Sequence, residues 1–377
     1  MKTVSKGLIL AFVLFLHCSD NSQKNQLLFQ DSLAPSPSSA WNTPPDRFLD
    51  INSRKVFHLT PKSDPTEHPW VGDSTWTCYR IEIEMLAPDS VRRNFVGLDF
   101  HVQPNGVQSN NIGFFVGGDP NLPRVFEAAA HWYSGNVSWK LWPFASSTAP
   151  LPQSEWITWR LDIGRDFANI YVNNDSLPVY TARDLPFSSG GVRLWEYNGS
   201  ALFRNLKITR LDSAQMTPLL PDPWAEARQK ERVQNWQISR VYPQDISSQA
   251  LETSEADWRR PVVDARGIVN VTATYPQQQD KGTVYATGDL TCDTDTCRIL
   301  HLSYTDQLTV WINDVQVFDG PARGWYDPGR TPMEGFGRLL PDLFQIRINL
   351  KAGANDIHVR HLINEPQFGS GFWMGLE

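Results

Sequence analysis

The sequence carries no run of Lys and Arg, and its 34 basic residues are outnumbered by 41 acidic ones, for a net charge of −7. Nucleic-acid binding requires clustered cations, so that class of partner is excluded. Motifs for several common chemistries are missing too. There is no Gly-x-Ser-x-Gly elbow and no glycine-rich loop to cradle a phosphate. Cysteine is scarce, at four residues, and no second Cys or His pair stands at zinc-ligand spacing. The apolar run over residues 7–16 is too short to span a bilayer.

That run has another meaning. Lys2 and Lys6 precede Gly7–Leu16, the order of a signal peptide, and Cys18 stands where a bacterial lipoprotein signal places its lipid-modified cysteine. His17 departs from the small residue usual before such a cysteine. Residues 1–18 are therefore expected to be an export signal of lipoprotein type, with Cys18 as the candidate lipidation site. A cell-envelope location follows, or a periplasmic or extracellular one without the lipid. Residues 19–45, rich in Ser, Asn, Gln and Pro, predict a disordered tether. Export also favours a disulfide between Cys292 and Cys297, which flank a polar loop, while Cys78 reads as a buried thiol within a strand. The loop Asp293-Thr294-Asp295 offers oxygens for a structural calcium, against the plainer reading of a polar tip.

At 377 residues the chain exceeds one ordinary core, so two domains are expected. Tyr79, Ile81, Ile83 and Met85 alternate with Arg80, Glu82 and Glu84, and Val96, Leu98, Phe100 and Val102 repeat that period of a half-buried strand. Strand patterns continue to residue 211, which predicts a sandwich over 46–211. In 212–237, Asp222-Pro223 before a helix-favouring stretch predicts a short, solvated connecting helix. Strands return over 238–377: Val269, Val271, Ala273 and Tyr275 alternate, as do Phe344, Ile346, Ile348 and Leu350. The fold class expected is all-β, two tandem antiparallel β-sandwich (jelly-roll) domains joined by a short helical linker.

Three phrases carry a resemblance. Trp156-x-x-Trp159-x-Leu161-x-Ile163, Gly190-Gly191-Val192-Arg193-Leu194-Trp195 and Phe203-x-Asn205-Leu206-x-Ile208 make residues 95–211, and more loosely 46–94, similar to the concanavalin A-like (laminin-G-like) lectin/glucanase superfamily of exported bacterial proteins. The phrase Val310-Trp311-Ile312-Asn313-Asp314 and its surroundings resemble the jelly-roll accessory domains of carbohydrate-active enzymes. The first resemblance implies a sandwich shared by lectins, hydrolases and adhesion modules, so it marks fold more than activity. Glucanases of that superfamily carry Glu-x-Asp-x-x-Glu on one strand. Here Glu82-Ile83-Glu84 lacks the Asp and the third acid, and reads equally as the polar face of a strand. Asp99 beside His101, and Glu196, are further acids with no pattern around them.

What the chain does have is tryptophan, 15 residues of it. Indoles fill sandwich cores, and bare indoles stack on sugar rings. Trp132, Tyr133, Asn136, Trp139 and Trp142 cluster around one predicted hairpin, and Trp195 with Tyr197 share a strand face beside Asn198. These are the candidate carbohydrate-binding residues, with Trp325-Tyr326 and Phe372-Trp373 as lesser ones. No catalytic residue and no cofactor are assigned. The partner expected is a polysaccharide or other glycan, bound by an exported and non-catalytic protein. The alternatives are a carbohydrate-active hydrolase or lyase with carboxylates from separate strands, and a non-sugar adhesion or assembly module.

Overall fold

The computed structural model describes residues 26–35, 40–60, 67–86, 94–116, 125–133, 136–142, 145–146, 155–173, 175–197, 200–244, 257–278, 280–323 and 337–377. Cys18 and the expected export signal over residues 1–18 lie outside them. The protein is all-β, and its strands pair antiparallel.

The first sandwich packs two sheets face to face. One is centred on Tyr79–Leu86, flanked by Ile157–Ile163 and Ala201–Arg210, with Tyr180–Arg183 at one edge. The other is centred on Asn94–Val102, between Ser109–Val116 and Gly191–Tyr197. Strand alternation explains the layers. Tyr79, Ile81, Ile83 and Met85 are fully buried, while Arg80, Glu82 and Glu84 point outward into cross-strand ion pairs. In the second sandwich, a five-stranded sheet built on Gly282–Cys292 and Gly353–Ile363 faces a six-stranded one built on Thr296–Tyr304 and Gly371–Leu376.

Four expectations are corrected. The ordered body reaches into the predicted tether: Leu27–Asp31 pairs with Ala201–Arg210, and Phe29, Leu33 and Trp41 are buried, with Trp41 Nε1 donating to Asp31 Oδ2 at 2.9 Å. Three apolar anchors outweigh a polar composition. The linker, expected to be a short solvated helix, forms only a 3-10 turn at Ala227–Gln229, and it buries Trp224 and Ala227. Packing of that indole overrides local helix propensity. Strand alternation also fails at 271–275, where the Asn270 side chain accepts from Ala273 N at 2.8 Å and caps one α-helical turn, Val271–Thr274. Finally, Cys292 and Cys297 are free thiols. Their loop crosses from one sheet to the other, leaving Cys292 buried and Cys297 exposed. The Asp293–Asp295 tip is held by Asp295 Oδ1, which accepts from Ala352 N at 2.8 Å. Among the described residues no group of three or more His, Cys, Asp or Glu side chains is placed to hold a metal.

A 3-10 turn of the first sandwich, Trp139–Leu141, enters the second. Lys140 has no exposed surface, and its Nζ lies 2.8 Å from Asp306 Oδ1 and 2.9 Å from Glu365 Oε2. Ser370 and Thr305 hydroxyls each donate to Asp306 Oδ2 at 2.9 Å. Backbone bonds flank the ion pair: Leu339 N donates to Lys140 O at 2.7 Å, and Arg266 Nη1 to Leu141 O at 2.6 Å. The core follows the same path, since Trp224, Ile268, Leu339 and Trp373 pack in one cluster with Leu141 and Trp142 of the first sandwich.

Removing one partner of such a pair strands the other in the interior. Lys140→Met is expected to lower the unfolding free energy by about 3–5 kcal/mol, measured by urea titration at neutral pH. Restoring neutrality with Lys140→Met/Asp306→Leu should recover most of that loss. Burial pushes the nearby His361 imidazole down to about 4. The unfolded chain then binds the extra proton first, so stability must fall as pH drops from about 6.5 towards 4. His361→Gln should flatten that part of the pH profile, and an unchanged slope would contradict the assignment.

A cleft at the junction of the two sandwiches

Beside the ion pair, a cleft of about 270 Å³ opens between the first sandwich, the linker and the second sandwich. Ligand pockets usually hold roughly 300–1,000 Å³, so this one suits a single ring or a chain end. Three stretches build it. The edge strand Tyr180–Arg183 and the following Asp184 form one wall, Leu220–Trp224 of the linker another, and Trp142 with Arg266 the floor of the junction.

Each side chain is held from behind. Asp264 accepts Arg266 Nη2 at 2.6 Å and Nε at 3.0 Å, which places the guanidinium 4.7 Å from the Trp142 ring centre and 5.5 Å from that of Trp224. Trp142 donates through Nε1 to Arg183 O at 3.2 Å. Trp224 meets Trp373 edge to face at 5.8 Å, and its backbone N–H is capped by Asp222 Oδ1 at 2.9 Å. Arg228 bridges the two cleft carboxylates, with Nε 3.0 Å from Asp222 Oδ2 and Nη2 on Asp184 Oδ2. Burial works against the Arg228 charge, yet Asp184 and Asp222 together raise its pKa.

Two donors are left over. Among the described residues the indole Nε1 of Trp224, a residue with 1% of its surface exposed, has no hydrogen-bond partner. Nor has the buried Nε of Arg183, whose Nη2 donates to the carbonyl of Leu220. An unmet buried donor costs about 1–3 kcal/mol, so both weigh against the stability of this junction.

The aromatic residues expected to form one stacking platform are not gathered in one. Trp142 is buried in the cleft wall and Trp195 is buried on Gly191–Tyr197, close over Gly113. Neither offers a bare ring face: Trp142 lies under the Arg266 guanidinium, and the strand face that carries Trp195 is covered. Trp132 and Tyr133 lie on Val125–Tyr133, Asn136 on Asn136–Val137, Trp139 in the inserted turn and Tyr197 at a strand end; their side chains, like Asn198 and Trp325-Tyr326, fall outside the described residues. Phe372 and Trp373 are fully buried core.

The other acids are structural. Arg193 Nε donates to Asp99 Oδ2 at 2.6 Å and Asn111 Nδ2 to Asp99 Oδ1 at 2.7 Å, all three fully buried. Glu196 lies 3.6 Å from His68, both buried. Glu82 pairs with Lys207 at 3.4 Å. Burial opposes ionisation of Glu84, but hydrogen bonds from Asn205 and Arg204 hold its carboxyl below the ordinary value. Sequence reasoning missed Tyr180, Arg183, Asp184, Trp224 and Arg266. The available signal was Trp224, a large apolar residue in a stretch otherwise read as solvated.

No family model and no curated protein sequence matches the chain. Solved structures give partial likenesses. A carbohydrate binding module, CBM66 from Bacillus subtilis, is 17% identical over 45% of this chain and 94% of its own, with a TM-score of 0.33. Domain 4 of AbnA, a GH43 extracellular arabinanase from Geobacillus stearothermophilus, is 13% identical over 51% of this chain and 97% of its own, with a TM-score of 0.33. A xylan β-1,4-xylosidase from Bacillus halodurans C-125 is 13% identical over 48% of this chain and 39% of its own, with a TM-score of 0.36. At these scores none of them assigns an activity or a ligand to this chain.

Because Trp142 and Trp195 are both packed, truncation should damage the fold before it touches any binding. Trp142→Ala and Trp195→Ala are each expected to lose about 3–5 kcal/mol in denaturant unfolding. Wild-type stability in either variant would return that ring to the list of exposed stacking surfaces.

Proposed function

We propose that this is an exported, non-catalytic glycan-recognition protein that takes one sugar residue or chain end in the junction cleft. The observation that supports this most is the recess itself, about 270 Å³ with a lining that mixes Trp142, Tyr180 and Trp224 with Arg183, Asp184 and Asp222. A pyranose has the same mixed character, apolar C–H faces and a rim of hydroxyls. The signal-like start, with Lys2, Lys6, the apolar run and Cys18, supports export of lipoprotein type.

The carboxylates favour binding over hydrolysis. A glycosidase needs one carboxyl free to protonate the leaving oxygen and a second to act across the bond. The two carboxylates of this cleft, Asp184 and Asp222, are both engaged by Arg228, and Asp222 is engaged again by the Trp224 backbone. A bound glycosidic oxygen therefore meets donors already charged or neutral, with no acid delivered to it.

A screen of the folded protein against soluble polysaccharides and oligosaccharides, by affinity electrophoresis and calorimetry, tests this directly. Binding without release of reducing ends is expected. A protein with intact near-ultraviolet circular dichroism that binds no saccharide at millimolar concentration overturns the reading.

A further inference from the structure

We infer that the second sandwich carries a further binding surface, an arginine–tyrosine strip around Arg240, Tyr242, Tyr285 and Arg360, that holds an acidic polysaccharide by its carboxylate or sulfate groups. The strip shares no residue with the junction cleft and does not depend on sugar binding there. The sheet builds it. On Gly353–Ile363, Ile357, Val359, His361 and Ile363 are buried, so alternation turns Arg360 to the outer face. Arg360 stands in register beside Tyr285 of Gly282–Cys292. Tyr242 meets Tyr285 edge to face at 6.4 Å, and the exposed Arg240 places its guanidinium 4.9 Å from the Tyr242 ring centre. Beside Arg240, Ser239 O accepts from the Tyr275 hydroxyl at 2.6 Å, and the Arg259 guanidinium lies 5.2 Å from the Tyr275 ring. Next to Arg259 is Trp258, the most exposed tryptophan among the described residues, at 41%.

The charges of this face are distributed unlike those of the first sandwich. There the outward Arg80, Arg204 and Lys207 each reach a carboxylate across the strands. Here Arg240 and Arg360 have tyrosines for neighbours and make no ion pair among the described residues. Asp257 reaches Arg259 at 3.2 Å, in a pair half open to water. The other acids of the face stand off: Asp289 and Asp356 oppose each other four residues along, and Asp319 takes the Thr309 hydroxyl two strands from Arg360. A guanidinium lying on a ring keeps its in-plane N–H donors for a planar anion, a carboxylate or a sulfate. In a chain of net charge −7, the attraction for an anion has to be local. The exposed indole of Trp258 favours a sugar as the carrier of that charge, since ring C–H faces pack on it. An anionic lipid surface would answer the cations too, but Tyr242 and Tyr285 lie flush with the sheet, 4% and 9% exposed, and offer nothing to insert.

The probes are polygalacturonate, which carries carboxylates, dextran sulfate, which carries sulfates, and neutral dextran, with polyglutamate and phosphatidylglycerol vesicles as anions that are not sugars. Titration of the full chain at low salt is expected to show one or both acidic polysaccharides binding at least about 10-fold tighter than dextran, polyglutamate or the vesicles. Which of the two binds identifies the group recognised. The advantage should shrink as salt is raised. Arg240→Gln/Arg360→Gln should cut the acidic affinity at least about 10-fold, whereas Lys55→Gln, an exposed cation of the first sandwich, should leave it intact. Equal binding of acidic and neutral polymers overturns the inference, as does an acidic affinity that survives the double variant. Polyglutamate or vesicles binding as tightly as the polysaccharides overturns it as well, by making charge alone or a membrane the partner. None of these results touches the cleft, whose sugar is tested by the neutral oligosaccharides of the earlier screen. Should the double variant not fold, Arg240→Gln alone, at an exposed position, decides by the same readout.

Discussion

An ammonium group with no exposed surface is expensive anywhere in a protein, and Lys140 is tolerated because two carboxylates reach it at 2.8 and 2.9 Å. Those carboxylates belong to the second sandwich, while Lys140 belongs to a turn of the first. The pair therefore specifies which surface of one sandwich meets which surface of the other. Desolvating both ions erodes the net gain in stability, so its main effect is on register. Around it, the Leu339 backbone and the Arg266 guanidinium donate to carbonyls of the same turn, and the packing of Trp224 and Trp373 against Leu141 and Trp142 adds the apolar contribution that the ion pair does not make.

The cleft is a consequence of that docking. Its walls come from three different segments: Tyr180 and Arg183 from an edge strand of the first sandwich, Trp224 from the linker and Arg266 from the second sandwich. Edge strands normally present unpaired groups that need cover. Here the linker covers Tyr180–Arg183, with Asn169, Thr181 and Arg183 bonding to the backbone of Thr217, Leu219 and Leu220. What remains uncovered is a small recess, in the place where the three segments fail to fill space completely. Binding sites often arise at such junctions.

The strand architecture was legible because period-two alternation is a local signal: the pattern at Tyr79–Leu86 predicted its buried and exposed faces residue by residue. The junction was not legible, since it depends on contacts between residues more than a hundred positions apart. Lys140 looked like one polar member of an aromatic hairpin, and nothing near it in sequence announces Asp306. The stretch after Asp222 has helical propensity, yet the burial of Trp224 and Ala227 dictates a tight turn. At Asn270 a single capping side chain converts an alternating run into a helical turn. The indoles were rightly singled out as unusual in number, but Trp142 and Trp195 serve packing, and the tryptophan that the linker brings to the junction is Trp224, which composition alone did not distinguish.

If the Lys140 contact fixes the two sandwiches as a unit, they cannot melt independently. Differential scanning calorimetry of the intact chain is the most direct measurement. A single transition whose calorimetric and van't Hoff enthalpies agree is the predicted result. Two resolved transitions, or a van't Hoff enthalpy near half the calorimetric one, would show that the junction does not couple the sandwiches and that the cleft has no fixed geometry.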